Sequence, residues 1–178
     1  MGLDASPAAM AEASLRAARP ARKGGLPNLL FAVAAAERPP VELCGRADEV
    51  TVLFPWGSLL RGVLALDPLA AAGIAGLLAP SGCARALVSV TDRDAANAGL
   101  APLTPADREG LAERWAAFGL RLTAFEPATA EEIHATGSTW ARRLGATRRT
   151  GRSAIAAADA RPVWRLDLRP TGPDDIGG

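Results

Sequence analysis

The side chains in this sequence whose type and placement could do chemistry are two tryptophans, two runs of arginines and a few carboxylates. Trp56 sits in Thr51-Val52-Leu53-Phe54-Pro55-Trp56-Gly57-Ser58-Leu59-Leu60-Arg61-Gly62. A β-branched, apolar run ends there in Pro-Trp-Gly, and an apolar segment follows. This predicts a buried strand, a tight turn at its carboxyl end, then a helix. Pro55 has no N–H and suits the end of a strand; Gly57 permits a sharp turn. Trp56 is thereby held at the mouth of a sheet, where open α/β folds bind ligands, although a ring that merely caps the core would leave the same pattern. The second tryptophan, Trp140, lies directly beside paired arginines in Ser138-Thr139-Trp140-Ala141-Arg142-Arg143-Leu144.

The cations are unevenly spread. Net charge is only +1 over 178 residues, and Lys23 is the sole lysine among the 20 basic residues. They gather in Arg16, Arg19, Arg22 and Lys23, and again in Arg142, Arg143, Arg148, Arg149 and Arg152. Either run alone reads as a solvated face. Two runs flanking a candidate pocket point to RNA or another polyanion. Cys44 and Cys83 lie far apart and form no metal-type cluster with the single His134, so no zinc site is expected and both thiols are expected to be buried and reduced, as in the cytoplasm. Apolar residues make up 49% of the chain with no long run free of charge, which excludes a membrane span.

The elements that would position these residues follow in chain order. Gly2-Leu3-Asp4-Ala5 resembles a strand terminus bearing an acid, and Ser6-Pro7 starts a helix that Pro20 stops. In nucleotide-binding α/β folds an acid at the end of the second strand holds ribose hydroxyls, about 20 residues after a Gly-rich turn. If Asp4 is that acid, one strand, one Gly-rich turn and one helix lie outside this chain. Residues 21–27 read as a basic, flexible linker and residues 28–33 as a short apolar strand. Ala34, Ala35 and Ala36 then allow a flat ring to lie against the backbone, and Glu37 could accept from an exocyclic amine; an ordinary loop is the alternative. Helical segments are expected over 58–64 and 68–78, with breaks near Asp67 and Gly73, then a turn at Pro80-Ser81-Gly82 and a strand over 84–90. Residues 91–103 read as a polar loop. Thr104-Pro105 opens a helix whose core carries Trp115 and Phe118, and Gly119 ends it. Residues 120–125 alternate like a strand, Thr129-Ala130-Glu131-Glu132 caps a short helix, and residues 162–168 alternate strictly and close the sheet. The expectation is one α/β domain over residues 1–170, a mostly parallel sheet with a reversed final strand, and a frayed tail at 171–178.

Four separated segments resemble the Kam family of 16S rRNA adenine-N1 methyltransferases, which act at the decoding site and confer aminoglycoside resistance. They are Lys23-Gly24-Gly25-Leu26-Pro27-Asn28-Leu29-Leu30, Ala36-Glu37-Arg38, Phe54-Pro55-Trp56-Gly57-Ser58-Leu59-Leu60 and Ser138-Thr139-Trp140-Ala141-Arg142-Arg143-Leu144. The resemblance runs from Leu3 to about Leu168. It implies a class I, Rossmann-like methyltransferase fold that uses S-adenosylmethionine. By the resemblance, Asp4 matches the acid on the cofactor ribose, and Ala35, Ala36 and Glu37 match the adenine end of the cofactor site. Ser58 and Ser138 match small hydroxyl residues lining the pocket, and Trp56 and Trp140 match the pair that stacks the flipped target adenine. Arg16, Arg19, Arg22 and Lys23 match one rRNA-contacting segment; Arg142, Arg143, Arg148 and Arg149 match another. The family's first strand and Gly-rich turn precede the acid, so a βαβ-sized piece of roughly 30 residues is expected upstream.

The chemistry so implied needs no general base. Adenine N1 lies on the base-pairing edge, so the base must be extruded. Two tryptophans can clamp it by its faces, each stacked base being worth roughly 1–3 kcal/mol. The N1 lone pair lies in the ring plane and attacks an already electrophilic sulfonium methyl, so rate comes from proximity and orientation. Arginines supply phosphate attraction and register. The expected partner is 16S rRNA within the 30S subunit, met by a monomer with no membrane contact. A non-catalytic RNA-binding remnant, or a class I methyltransferase acting on a small molecule, would use the same residues differently.

Overall fold

Parallel strands dominate the first half of the molecule and an antiparallel insertion the second. In the computed structural model, which describes residues 1–90, 99–137 and 162–172, the chain opens with β1 (Gly2–Asp4), α1 (Pro7–Ala17) and β2 (Phe31–Val33). There follow β3 (Ala47–Leu53), α2 (Gly57–Val63), α3 (Pro68–Leu77) and β4 (Leu78–Val88). The last elements are α4 (Asp107–Ala116), β5 (Leu120–Pro127), α5 (Ala130–Ala135) and β6 (Trp164–Pro170).

The strands form two sheets where a single one was expected. β1 and β2 pair in parallel by themselves, and the larger sheet runs β3-β4-β6-β5. β3 and β4 are parallel; β6 is antiparallel to both its neighbours. The reversed final strand is therefore present, but it lies inside the sheet between β4 and β5 and does not border it.

Alternation explains the layering. Ala84, Ala86 and Val88 of β4, Leu120, Leu122 and Phe125 of β5, and Trp164, Leu166 and Leu168 of β6 share one buried cluster with Leu60, Val63, Ile74, Leu111 and Trp115 from the helices. Trp115 is fully buried and its indole N–H donates to the Val63 carbonyl at 3.1 Å, so it is core as expected. Trp164 stacks on Phe125 with ring centroids 4.5 Å apart. The opposite sheet face is mixed: Arg85 meets Asp167 through two hydrogen bonds of 2.8 and 3.3 Å, and Leu87 enters a second, smaller apolar cluster.

Caps fall largely where the residues dictate. Ser6 accepts from the Ala9 N–H, Asp67 from Leu69 and Ala70, and Thr129 and Glu132 complete a reciprocal capping box. Five local expectations are corrected. Gly73 does not break α3, because it sits in the buried middle of the helix where a neighbouring loop presses on it. Pro80-Ser81-Gly82 is a looped-out irregularity within β4, where pairing jumps from Ala47↔Leu78 to Glu49↔Cys83. Thr104 does not cap α4; Asp107 at the helix start accepts from the Thr104 N–H and hydroxyl instead. Cys44, which follows the short turn over Val41–Leu43, is exposed, and Cys83 of β4 is half-buried, so neither is buried as expected. The described part of the 91–103 loop is not wholly polar, for Leu100 enters the core. Thr171 is tied to the Gly119 carbonyl at 2.8 Å. Among the described residues no single helix is long and apolar enough to cross a membrane.

Candidate active site

The loops at the carboxyl ends of β1, β2 and β3 carry the residues singled out in the sequence. Asp4 ends β1 and is exposed. Its Oδ1 accepts the Ser6 backbone N–H at 2.7 Å, which shapes the turn into α1. Its backbone carbonyl accepts the Ala34 N–H at 3.0 Å. That bond joins Asp4 to the loop after β2, so Asp4 and the Ala35-Ala36-Glu37 turn share one rim. The turn is closed by the Arg38 N–H donating to the Ala35 carbonyl at 3.0 Å.

Gly73 of α3 lies under this turn. A Cβ there would stand 1.8 Å from the Ala36 carbonyl oxygen, so only glycine lets the helix approach the loop so closely. Ala36 in turn packs on the main core cluster, to which Leu60 of α2 belongs. The Asp4–Glu37 rim is in this way seated against the helices that follow β3. Small side chains, an exposed carboxylate and no bulky group in the turn fit a purine nucleoside with its ribose hydroxyls.

The turn after β3 is more tightly built. The Phe54 N–H donates to the Leu87 carbonyl at 2.8 Å, extending the β3–β4 ladder by one residue. Phe54 has φ +50° and Gly57 φ +60°; Pro55 between them is buried. Trp56 is extended (φ −141°, ψ 167°) and 81% exposed, the most exposed large apolar residue described. A ring that capped the core would be covered, so that alternative fails. Ser58 is exposed on the first turn of α2 beside it. Trp140, Ser138, Arg142, Arg143, Arg148 and Arg149 lie outside the described residues.

Arg16, Arg19, Arg22 and Lys23 are all exposed, and Arg16 meets Glu12 at 3.7 Å. The expected flexible linker is instead a short helical turn over Ala21–Lys23. The Lys23 N–H donates to Pro20 at 2.7 Å, Gly24 to Ala21 at 2.9 Å and Leu26 to Ala17 at 2.8 Å. These bonds fix the basic residues as a cationic corner beside β2.

A second charged set braces the far side. Arg165 of β6 pairs with Glu126 of β5, Glu132 of α5 and Asp167 of its own strand. The Thr129 backbone N–H, then Arg165, hold the Glu132 carboxyl below its ordinary range. The hydrogen bond to Glu132 raises Arg165, and Asp167 likewise raises Arg85. No group of His, Cys, Asp or Glu among the described residues could hold a metal ion.

Sequence reasoning missed Phe54, read only as strand, and Gly73, read as a helix break. It also missed Ser89, which follows β4, is 6% exposed and has a hydroxyl with no hydrogen-bond partner among the described residues. Its only signal is a polar residue inside Leu87-Val88-Ser89-Val90 at the carboxyl end of a parallel strand.

Comparison with known proteins gives this geometry a context. Residues 1–159 match the family model described as NpmA, 16S rRNA (adenine(1408)-N(1))-methyltransferase. A 16S rRNA (adenine(1408)-N(1))-methyltransferase of Streptoalloteichus hindustanus is 39% identical over 155 residues, spanning 83% of this chain and 70% of the relative. Among solved structures, a variant of the corresponding methyltransferase from Catenulisporales acidiphilia, with the cosubstrate SAM, superposes with a TM-score of 0.76 at 31% identity. It covers 98% of this chain and 75% of its own. The aminoglycoside resistance methyltransferase NpmB1 matches with a TM-score of 0.70 at 33% identity, over 96% of this chain and 74% of its own.

Proposed function

The chain belongs to the family of 16S rRNA (adenine(1408)-N(1))-methyltransferases, and on that premise we propose which of its residues carry the reaction. The fold is that of an S-adenosylmethionine-dependent methyltransferase, and the chain is such an enzyme. In the proposed arrangement, Asp4 receives the ribose hydroxyls of S-adenosylmethionine, and Ala35, Ala36 and Glu37 receive its adenine. Ser58 and Ser138 line the cofactor pocket, and Trp56 and Trp140 stack the target adenine after it leaves the rRNA. Arg16, Arg19, Arg22 and Lys23, with Arg142, Arg143, Arg148 and Arg149, bind phosphates and set register without reading sequence. The substrate is 16S rRNA in the assembled 30S subunit, the enzyme acts on it as a monomer in the cytoplasm, and the modification gives aminoglycoside resistance, as the name of NpmB1 says of that relative.

The cofactor supplies a methyl group already made electrophilic by its sulfonium. What the protein adds is position. Trp56 offers a bare ring face on a turn fixed at both ends, suited to hold a purine so that its in-plane N1 lone pair meets the methyl. No side chain has to remove a proton before that attack, because adenine N1 carries none at neutral pH. The contribution of the protein is therefore orientation and exclusion of alternatives.

One observation carries this reading: Trp56 is 81% exposed at the mouth of the sheet when the same fold buries Trp115 and Trp164 completely or nearly so. Trp56→Ala tests it. Methylation of 30S subunits should fall at least about 100-fold, as for a base left loose in its site, with the melting temperature and S-adenosylmethionine affinity of the parent. Full methylation by the variant would sink the stacking role.

A further inference from the structure

We infer that Phe54 is a positioning residue for Trp56, its ring anchoring a strained turn that would otherwise let the tryptophan swing. The inference rests on the stacking role proposed above. Phe54 is one of two non-glycine residues with positive φ among those described, the other being Ala65. A bulky aromatic residue in the left-handed region is a genuine outlier and persists only where its surroundings over-determine it.

The surroundings do so. The Phe54 ring packs on a small cluster of Leu87, Ile133 and Val163, separate from the main core. Those three residues come from the end of β4, from α5 and from the approach to β6. The Phe54 N–H is held by Leu87 at 2.8 Å. Two residues on, Trp56 has neither burial nor a capping bond of its own. Beyond it α2 is fixed by Leu60, 1% exposed, and Val63, 2% exposed. Trp56 is thus suspended between two anchors, and Phe54 is the upstream one. Pro55, with its φ fixed by the ring, transmits the setting.

A glycine at 54 would suit φ +50° and yet provide no anchor. That separates local backbone comfort from ring packing. Leucine would keep an apolar body in the cluster at the same backbone cost. The test is 5-fluorotryptophan labelling of the chain and its Phe54→Gly and Phe54→Leu variants, read by fluorine NMR, together with single-turnover methylation of 30S subunits. In Phe54→Gly the Trp56 resonance, assigned by its loss in Trp56→Phe, should shift and change width. Those of Trp115 and Trp164 should stay in place. Methylation should slow about 10- to 100-fold, the scale of a small misplacement of a reacting group, while 30S affinity stays within about threefold. Phe54→Leu should restore both signals most of the way. An unmoved Trp56 resonance in Phe54→Gly overturns the inference, and so does a parental methylation rate. The stacking role fails separately: if Trp56→Ala methylates normally, the tryptophan is not used, however Phe54→Gly behaves.

Discussion

The unit made of β1, α1 and β2 and the four-stranded half of the molecule hold their site residues in opposite ways. In the first, Ala17 is the only buried apolar side chain before the loops that lead to β3, and Leu15, Leu26, Leu30 and Val33 are exposed. In the second, Val88, Leu111, Trp115 and Leu166 have no accessible surface at all. Asp4 and the Ala35–Glu37 turn therefore stand on backbone hydrogen bonds and a close helix contact, whereas Trp56 stands on a packed core. The lesson is that the proposed cofactor rim is the compliant side and the proposed base platform the rigid one. A ligand that orders the first region adds to its stability, while the platform needs no ligand to be in place.

The sharpest way to break the comparison is to hollow the rigid side. Trp115→Ala should cost about 3–5 kcal/mol, and it also strands the Val63 carbonyl that the indole N–H now satisfies. Thermal or urea unfolding measures this loss. Leu15→Ala in α1, on the compliant side, should stay within about 0.5 kcal/mol, since Leu15 is 73% exposed. Equal losses in the two variants would erase the distinction.

Hydrogen exchange should sharpen it further. The amides of Gly2 and Ala34, bonded to Leu30 and Asp4, should exchange at least roughly 100-fold faster than those of the β4–β6 ladder. S-adenosylmethionine should slow the first set and leave the second almost unchanged. Asp4→Asn, which keeps an oxygen for the Ser6 N–H, should abolish that selective protection. Uniform protection across both sheets would contradict the assignment of the cofactor to the Asp4 rim.

The smallest effect belongs to Glu132→Gln. Glutamine can still complete the capping box with Thr129, so only the pairing with Arg165 is lost. At neutral pH the cost should be about 0.2–1 kcal/mol, the range of exposed ion pairs. The Glu132 carboxyl is held below its ordinary range in the folded chain. Its contribution is then full above the unfolded value of about 4.3 and fades as pH falls through the lower folded value. The difference between parent and variant, followed by urea unfolding against pH, should shrink on acidification and should not grow.

Much of this was legible because local chemistry and tertiary role agree. The capping box at Thr129, the alternation of residues 162–168 and the Pro-Trp-Gly turn each depend on neighbours in sequence. The turn's residues predict a ring held at the end of a strand, and Trp56 is exposed there. What escaped reading depends on residues far away. Gly73 looks like a helix breaker until the Ala36 carbonyl is seen against it. Phe54 looks like the last strand residue, because nothing in its neighbours says that Leu87, Ile133 and Val163 will hold it at positive φ. The basic segment around Lys23 reads as flexible from its glycines, yet hydrogen bonds to Ala17, Pro20 and Ala21 lock it. The division into two sheets was not visible either, since alternation tells which face of a strand is buried and not which strand lies next to it.

The position of β6 has a consequence for how the molecule is made. β5 touches the rest of the sheet only through β6, which also borders β4, and the Arg85–Asp167 pair that ties these strands joins residues 82 positions apart. On a growing chain β3 and β4 can pair early, but β5 has no neighbour to join until the segment through Pro170 has been synthesised. Assembly of that half of the protein is a late, long-range event, of the slow kind that high contact order produces. Until it happens, the facing backbone edges of β4 and β5 lack the strand that pairs with both, and unpaired edges of that kind favour association with other chains.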